Sequence, residues 1–178
     1  MSFTALIAAF AAPVIAFAAA PAAQLSLASK TFAEGATLPN SMVANVYGCT
    51  GANQAPELHW SGAPAGTKSF ALTMFDPDAP AAGGFWHWVV FNIPAAASSM
   101  SAETSPKGLG LGKNGVGTSG YFGACPPPGK AHHYVFTLYA LDIAGVSGVD
   151  ASTTGPELTA ALKGHVLAKA TLTGLYGR

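Results

Sequence analysis

The fold of this chain is decided by the stretch Phe85-Trp86-His87-Trp88-Val89-Val90-Phe91-Asn92-Ile93, which is dense in aromatic and β-branched residues. Residues of these types favour strands, and segments rich in glycine and proline bound the stretch. Segments of similar character predict strands at 69–75 and 132–141, with further candidates at 25–28, 53–60 and 168–176. Many strands separated by turn signals are typical of an antiparallel β-sandwich, so we predict a mostly β chain.

The composition is that of a compact chain with few charges. Of its 178 residues, 50% are hydrophobic and 9% are charged, and 8 Lys plus Arg balance 8 Asp plus Glu. Such a chain is too hydrophobic to be disordered, and the lack of a basic excess argues against nucleic acid as a partner. With 21 Gly and 13 Pro it is rich in turns, and its length suits a single domain, which we place at 24–178.

One helix is predicted late in the sequence. The tetrapeptide Thr154-Gly155-Pro156-Glu157 offers a cap at Thr154 or Gly155, a proline in the first turn and an acid near the N-terminus. Four residues of the helix would then form one stripe: Leu158, Ala161, Leu162 and His165. A long glycine-rich connection at 98–128 is the other conspicuous segment, and such connections are usually functional or partly ordered by their own packing. The predicted sandwich therefore carries one or two short helices.

Residues 1–23 are predicted to be a secretory signal peptide that is cleaved. No charged residue occurs from Phe3 to Ala23, and Ala16-Phe17-Ala18 offers a small-x-small cleavage site there or a residue or two later. No Lys or Arg precedes the apolar run. A retained anchor is one alternative, because about 20 apolar residues can span a bilayer, and a disordered leader is the other. We therefore expect a periplasmic or secreted protein that contacts a membrane only during export.

The predicted export favours a disulfide between the two cysteines. Cys49 and Cys125 both lie in glycine-rich loop sequence, and two cysteines in an oxidising compartment usually form a disulfide. A link between such distant positions would stabilise the fold by roughly 4 kcal/mol in the loop-entropy model. Two free thiols are the alternative. The spacing excludes a C-x-x-C redox site, and two thiols alone cannot hold a structural zinc.

Titratable side chains are scarce, so their clustering is informative. Two of the 8 acids lie in Asp76-Pro77-Asp78-Ala79-Pro80, where prolines stiffen a turn at the end of a predicted strand. His87 lies inside an apolar strand, and His132 and His133 open another. A histidine in an apolar strand loses hydration and needs a polar partner. If the three strands meet, one small polar cavity is lined by Asp76, His87, His132 and Tyr134.

Strand alternation assigns a face to each of these residues. At the start of the 132–141 strand, His132 and Tyr134 share a face, and His133 points to the other side. For all residues of the predicted cavity, the alternative is a purely structural role. The Asp-Pro pair then forms only a turn, and the histidines are ordinary core or surface residues.

The same alternation applies to the stretch 85–93. It predicts that His87 shares a face with Val89 and Phe91. It also predicts that Trp86 and Trp88 share the opposite face, where packing is their expected role. The cavity hypothesis thus depends on His87 being turned towards the same hollow as the other three residues.

At these residues the chain resembles the phosphatidylethanolamine-binding protein family, and within it the secreted bacterial branch that is similar to Raf kinase inhibitor proteins. The segment 76–80 resembles the D-P-D-x-P signature, and the strand from Trp86 to Asn92 follows at the expected spacing. The loop 123–129 with His132-His133-Tyr134 resembles the second signature, a Gly/Pro loop that leads to H-R-Y. The resemblance extends from about Leu25 to the C-terminus.

The resemblance implies a β-sandwich with a small anion-binding pocket. Its ligand-binding residues would be Asp76, His87, His132 and Tyr134, with Pro126 and Pro127 as the rim. We expect no cofactor, no metal ligand and no catalytic residue.

Two departures from the family pattern affect the pocket. His133 stands where the family has Arg, which we would expect to pair with an acid such as Asp78; a neutral His133 can form one hydrogen bond but not a bidentate pair. The glycine loop reads Asn114-Gly115-Val116-Gly117 where the bacterial branch usually has an acid and an aromatic residue. The contacts of that loop are therefore left open.

The leading functional hypothesis is non-enzymatic binding of a small anion such as a phosphate, a phosphoryl head group or a carboxylate. Imidazoles, a phenol hydroxyl and loop N–H groups would donate hydrogen bonds to it. One alternative is a secreted regulator or inhibitor of a protein partner, and a homodimer is also left open. Another is a small hydrolase that uses His87 or His132 as a general base, although no Gly-x-Ser-x-Gly motif is present.

Overall fold

The computed structural model describes Met1 and residues 24–178. The predicted signal peptide at 1–23 lies outside the described residues apart from Met1. The described part contains eight strands, one α-helix and a 3-10 turn at Asn40–Met42. The strands and the helix are β1 (Ser26–Ser29), β2 (Leu58–Ser61), β3 (Ser69–Asp76), β4 (Phe85–Pro94), β5 (Ser99–Met100), β6 (Gly110–Leu111), β7 (His132–Leu141), α1 (Gly155–Ala161) and β8 (Val166–Tyr176).

The described strands form two antiparallel sheets. The larger sheet has the order β6-β4-β3-β7-β8, and the smaller one has the order β1-β2-β5. β3 is the central strand of the larger sheet, and seven of its eight residues are buried. Such near-continuous burial requires cover on both faces of the sheet. The prediction of an antiparallel β-sandwich with one or two short helices is confirmed.

One face of the larger sheet packs against the smaller sheet. Phe70, Leu72 and Met74 of β3 point into this inter-sheet core, where Leu58 and Trp60 of β2 meet them. All five side chains are buried, and burial of this kind stabilises by roughly 1.5–3 kcal/mol per side chain. This core fixes β3 in position, and with it the polar residue at the end of the strand.

The opposite face of the larger sheet is covered by α1. The Glu157 carboxylate accepts a hydrogen bond from the Thr154 N–H (2.8 Å), so the helix begins as predicted. Leu158 and Leu162 are buried against the sheet, but the helix ends at Ala161. His165 therefore lies beyond the helix and not on its stripe. Within residues 24–178, no helix is both long and apolar enough to span a membrane.

The pairing of β3 with β4 contains two register shifts, one between Phe70 and Leu72 and one between Met74 and Phe75, and the second is a β-bulge beside the site. Met74 lies opposite Trp88 and the next residue, Phe75, lies opposite Trp86, so His87 is an extra residue with no partner in β3. The carbonyl of the bulged residue is satisfied from outside the sheet, because the Phe122 N–H donates to the His87 carbonyl (2.9 Å). A bulge turns the strand locally and re-aims its side chains.

The bulge corrects the alternation predicted for this strand. Trp88 packs in the inter-sheet core, whereas Trp86 packs on the helix-covered face. The prediction that the two tryptophans share a face is therefore wrong. Val89 and Phe91 also lie on the helix-covered face, while His87 lies beside residues of the other side. The prediction that His87 shares their face is wrong for the same reason.

Candidate functional site

Three neighbouring strands bring the predicted site residues to one end of the larger sheet. Asp76 ends β3, His87 lies near the start of β4, and His132 and Tyr134 lie at the start of β7. Because β4 and β7 run antiparallel to β3, their first residues lie beside its last one. The four side chains line a single cavity of about 210 Å³, and Pro126 and Pro127 also line it.

Asp76 organises both the turn and an imidazole. Its Oδ1 accepts hydrogen bonds from the N–H groups of Asp78 (2.9 Å) and Ala79 (3.0 Å). Its Oδ2 accepts from Nδ1 of His132 (2.8 Å). Both oxygens of this buried carboxylate are thus engaged within the protein. Asp76 therefore orients His132, and Nε2 is the ring nitrogen that His132 has left for a ligand.

His87 is a buried imidazole with a defined tautomer. Its Nδ1 donates to the Phe122 carbonyl (2.8 Å), and its ring contacts Tyr134 edge-on with centroids 5.1 Å apart. Burial lowers the pKa of His87 to about 4, against the smaller opposing effects of the Phe122 carbonyl and the Asp76 charge. The ring is therefore neutral near pH 7. Because Nδ1 carries the proton, Nε2 presents a lone pair.

We expect His87 to make the folded protein sensitive to acid. The unfolded chain protonates this imidazole near pH 6.5, whereas the folded protein does so only near about 4. The stabilising contribution is therefore fully present above pH 6.5 and is lost as the pH falls towards 4. The gap between these pKa values corresponds to about 3 kcal/mol of unfolding free energy.

Urea unfolding at a series of pH values measures this loss. The informative variant is His87→Asn, because an Asn amide can still donate to the Phe122 carbonyl but does not titrate. Between pH 6.5 and 4, its unfolding free energy should depend less on pH than that of the wild type. The matched control is His59→Asn, which changes an exposed histidine on β2 and should keep the wild-type slope. Equal slopes in all three proteins would exclude His87 as the source.

Tyr134 lines the cavity and carries a buried, unpaired hydroxyl. Tyr134 is fully buried, and within the described part of the chain its hydroxyl has no hydrogen-bond partner. Burial, and secondly the Asp76 charge, raise the pKa of Tyr134, while the Cys125 N–H acts on the hydroxyl oxygen in the opposite sense. The phenol therefore stays protonated and can donate. Buried polar groups are normally satisfied, so this hydroxyl calls for a ligand or a water molecule.

The rim of the cavity is mostly apolar. Among the residues that the structure describes, no Lys or Arg side chain lines it, and Asp76 is its one carboxylate. Its prolines lack an N–H group and offer no donor to a ligand. The rim residues are Tyr47, Ala79, Pro80, Ala81, Phe85, Val116, Phe122, Cys125, Pro126 and Pro127.

Two connections join the rim loops to each other. Cys49 and Cys125 form a disulfide, so the predicted pairing is confirmed and the free-thiol alternative is wrong. Arg178 adds a second connection, since its Nε donates to the Pro126 carbonyl (2.6 Å) and its Nη2 to the Tyr47 carbonyl (3.3 Å). The guanidinium thus links the segment of Tyr47 to the segment of Pro126.

Comparison with known proteins identifies the family. The model of the phosphatidylethanolamine-binding protein family matches residues 28–177. The chain belongs to the phosphatidylethanolamine-binding protein (PEBP) family. UPF0098 protein YbcL of Escherichia coli (strain K12) is 40% identical over 165 residues, which cover 88% of this chain and 90% of that protein.

Other members of the PEBP family extend this comparison. The crystal structure of YbcL from E. coli, described as a new member of the mammalian PEBP family, matches with a TM-score of 0.84 and 40% identity. The match covers 88% of this chain and 99% of that one. LppC of Mycobacterium tuberculosis (strain ATCC 25618 / H37Rv), whose name describes a lipoprotein, is 44% identical over 141 residues. These cover 75% of this chain and 66% of that protein.

His133, which replaces the arginine of the PEBP signature, lies outside the cavity. Its imidazole Nδ1 bonds to Oδ2 of Asp78 (2.7 Å), and its backbone N–H donates to the same oxygen (2.8 Å). The His133 side chain therefore forms one hydrogen bond with Asp78 and no bidentate pair. The backbone N–H and then the imidazole of His133 lower the pKa of Asp78. This pair ties β7 to the turn that carries Asp76.

Asn114, in the glycine loop that departs from the PEBP pattern, shapes its own loop. Its Oδ1 accepts from the N–H groups of Val116 (3.2 Å) and Thr118 (3.1 Å), and its Nδ2 donates to the Gly120 carbonyl (3.2 Å). The loop thereby places Val116 at the rim of the cavity. The Val116 side chain therefore makes this part of the pocket wall apolar.

Sequence reasoning missed several rim residues. Tyr47, Phe85, Val116 and Phe122 line the cavity, and Arg178 supports it, but no motif marks them. One signal was available: Tyr47 lies two positions before Cys49, so the predicted disulfide would have carried it towards Pro126. The aromatic and loop positions depend on tertiary packing.

The hydrogen-bonding character of the cavity differs from the one expected. His87 was expected to donate to an anion, but in its neutral form it accepts, and only protonation gives it an Nε2 donor. The dependable donor is the Tyr134 hydroxyl. In the described part of the chain, no group of three His, Cys, Asp or Glu side chains has the arrangement of a metal site.

Proposed function

We propose that this protein is an exported, non-enzymatic binding protein for a small anionic group: a phosphate, a phosphoryl head group or a carboxylate. The observation that carries the proposal is the unpaired, buried hydroxyl of Tyr134, which lies beside two oriented imidazoles in one cavity. A site that leaves a buried donor unsatisfied in the free protein is preorganised for a ligand acceptor. The volume of about 210 Å³ suits one small group.

The apolar rim supports binding of a larger molecule through its polar end. A small polar group alone makes few contacts and binds weakly, whereas additional apolar contact area adds affinity. The exposed ring of Tyr47 and the Pro126-Pro127 segment offer such area at the mouth of the cavity. A head group with an attached organic portion therefore fits better than a bare ion.

Export is supported by two independent observations. The Cys49–Cys125 disulfide is typical of proteins from oxidising compartments, and the relative LppC carries a lipoprotein name. Together with the predicted signal peptide at 1–23, they favour a periplasmic or secreted location.

Hydrolysis is the second candidate, and one contact favours it. The Asp76–His132 hydrogen bond (2.8 Å) is the arrangement in which a carboxylate orients a histidine base. However, the described lining residues include no Ser, Thr, Lys or free Cys that could serve as a nucleophile. Turnover of phosphate or carboxylate esters that is lost in His132→Asn would favour this candidate over simple binding.

The test of the binding proposal is Tyr134→Phe. Losing the hydroxyl should raise the Kd for phosphate or phosphoethanolamine about tenfold, which corresponds to one hydrogen bond. Because the hydroxyl is unpaired in the free protein, its removal should leave the unfolding free energy unchanged or raise it by about 1 kcal/mol. Histidine NMR shifts during titration report both the Kd and the involvement of His87 and His132.

The matched control is Tyr139→Phe, the same chemical change on the helix-covered face of the sheet. It should leave the Kd unchanged. If Tyr134→Phe binds phosphate and phosphoethanolamine as tightly as the wild type, or if neither compound moves the histidine signals, the proposed site is not the binding site.

A further inference from the structure

The two imidazoles of the cavity are both fixed through Nδ1. His87 donates to the Phe122 carbonyl, and His132 bonds to the Asp76 carboxylate. A carbonyl oxygen can only accept, so Nδ1 of His87 carries a proton in every protonation state of the ring. A neutral imidazole has a single N–H group. Whatever the state of His132, neutral His87 therefore offers the ligand a lone pair at Nε2 and not a donor.

The charge of the cavity also disfavours an anion that carries no proton. The described lining residues contain the Asp76 carboxylate and no Lys or Arg side chain to balance a dianion. The nearby guanidinium of Arg178 is directed at the Pro126 and Tyr47 carbonyls. A ligand with fewer negative charges meets less repulsion from Asp76.

We infer that the cavity selects a phosphoryl group that carries a proton, bound with its P–OH donating to His87, over a sulfate of the same shape. This inference rests on the proposed function and narrows it to protonated phosphoryl groups. The remaining phosphoryl oxygens accept from Tyr134, while sulfate has no hydrogen to offer His87. When sulfate binds, one of its oxygens faces Nε2 of His87, and both atoms are acceptors. Both lose their hydration and neither gains a hydrogen bond, so the affinity for sulfate is lower. An ionised carboxylate is disfavoured for the same reason.

The selectivity should depend on pH. The titratable groups that face His87 are Asp76 on β3 together with His132 and Tyr134 on β7, and the Phe122 loop adds the backbone of Phe122 and Gly123 but no titratable group. Burial keeps His87 neutral until the pH approaches about 4. Below that value a protonated His87 would donate to sulfate as well. The preference for phosphoryl groups should therefore be strong near pH 6.5 and weak at pH 4.

The experiment is a calorimetric titration of the purified protein with four probes: inorganic phosphate, phosphoethanolamine, sulfate and ethanolamine. At pH 6.5, where phosphate monoesters are partly protonated, phosphate and phosphoethanolamine should bind at least about tenfold more tightly than sulfate. The ratio should shrink towards one at pH 4. Tighter binding of phosphoethanolamine than of phosphate would identify a lipid-type head group as the source, and equal binding would identify free phosphate.

His87→Asn tests the assigned acceptor, because it keeps the donor to Phe122 and removes Nε2. It should bind phosphate and sulfate with similar affinity, while His59→Asn, on the exposed side of β2, should keep the wild-type ratio. Should His87→Asn fail to fold, imidazole ¹⁵N shifts of the wild type give the answer. Nε2 of His87 should show the unprotonated shift, and phosphate but not sulfate should move it.

The outcomes separate the inference from the proposed function. Sulfate that binds as tightly as phosphate at pH 6.5, or a protonated Nε2 in the free protein, overturns the inference and leaves anion binding standing. Binding of none of the three anions, or binding of ethanolamine as tight as that of phosphoethanolamine, overturns the proposed function itself.

Discussion

Replacing Cys49 and Cys125 together by serine should lower the free energy of unfolding by about 4 kcal/mol. The two residues are 76 positions apart, so the disulfide closes a long loop and restricts the unfolded chain. Without the link the unfolded state gains conformational entropy, while the folded contacts stay largely as they are. Urea unfolding of the double variant beside the wild type measures the difference directly.

The reduced wild-type protein is the control for this prediction. It should match the double serine variant in unfolding free energy, because both lack the link and keep the remaining contacts. Binding should suffer less than stability, since Arg178 still joins the rim loops through the Pro126 and Tyr47 carbonyls. A loss below about 1 kcal/mol would mean that the unfolded chain is already restricted in this region.

Asp76→Ala should be the other severe change, with a loss of about 4 kcal/mol. The carboxylate accepts from the N–H groups of Asp78 and Ala79 and from the imidazole of His132. Removing it deprives three donors of their partner at a position that is 3% exposed. Removing one partner of a buried pair lowers the free energy of unfolding by far more than the intact pair contributes to it. Thermal and urea unfolding both report this loss.

Asp76→Asn is the matched variant that separates the turn from the imidazole. Its amide oxygen can still accept from the two backbone N–H groups, but its amide nitrogen then faces Nδ1 of His132. Two donors cannot bond, so the His132 proton should move to Nε2. We expect a smaller stability loss than for alanine and a changed ¹⁵N tautomer signature. If the Asn and Ala variants unfold alike, the hydrogen bonds to the turn contribute no stability.

Long strands could be predicted from the sequence, and very short ones could not. The strands at 69–75, 85–93 and 132–141 are found within one residue at each end, because sustained runs of apolar and aromatic residues mark them. β5 and β6 have two residues each, which is too short for any periodic signal. The predicted strand at 53–60 forms only from Leu58 onward.

The candidate site could be predicted in its polar centre but not in its surroundings. The spatial meeting of Asp76, His87, His132 and Tyr134 follows from three strands that share one sheet end, and the structure brings them together. Strand alternation predicted the wrong face for His87. One extra residue reverses the face predicted for every residue on one side of it, and no glycine in the sequence marks the bulge. The rim loops depend on tertiary contacts that have no local pattern.

Because His87 is the extra residue of a bulge, evolution can remove it from the pocket without changing the fold. Trp86 and Trp88 already face opposite sides and already pair with consecutive residues of β3. An in-frame loss of the single codon for His87 would therefore restore regular β3–β4 pairing at this position, and the register shift between Phe70 and Leu72 would remain. A descendant gene can thus keep the sandwich and discard the imidazole in one step, so a shared fold alone does not justify assigning the same ligand to a relative.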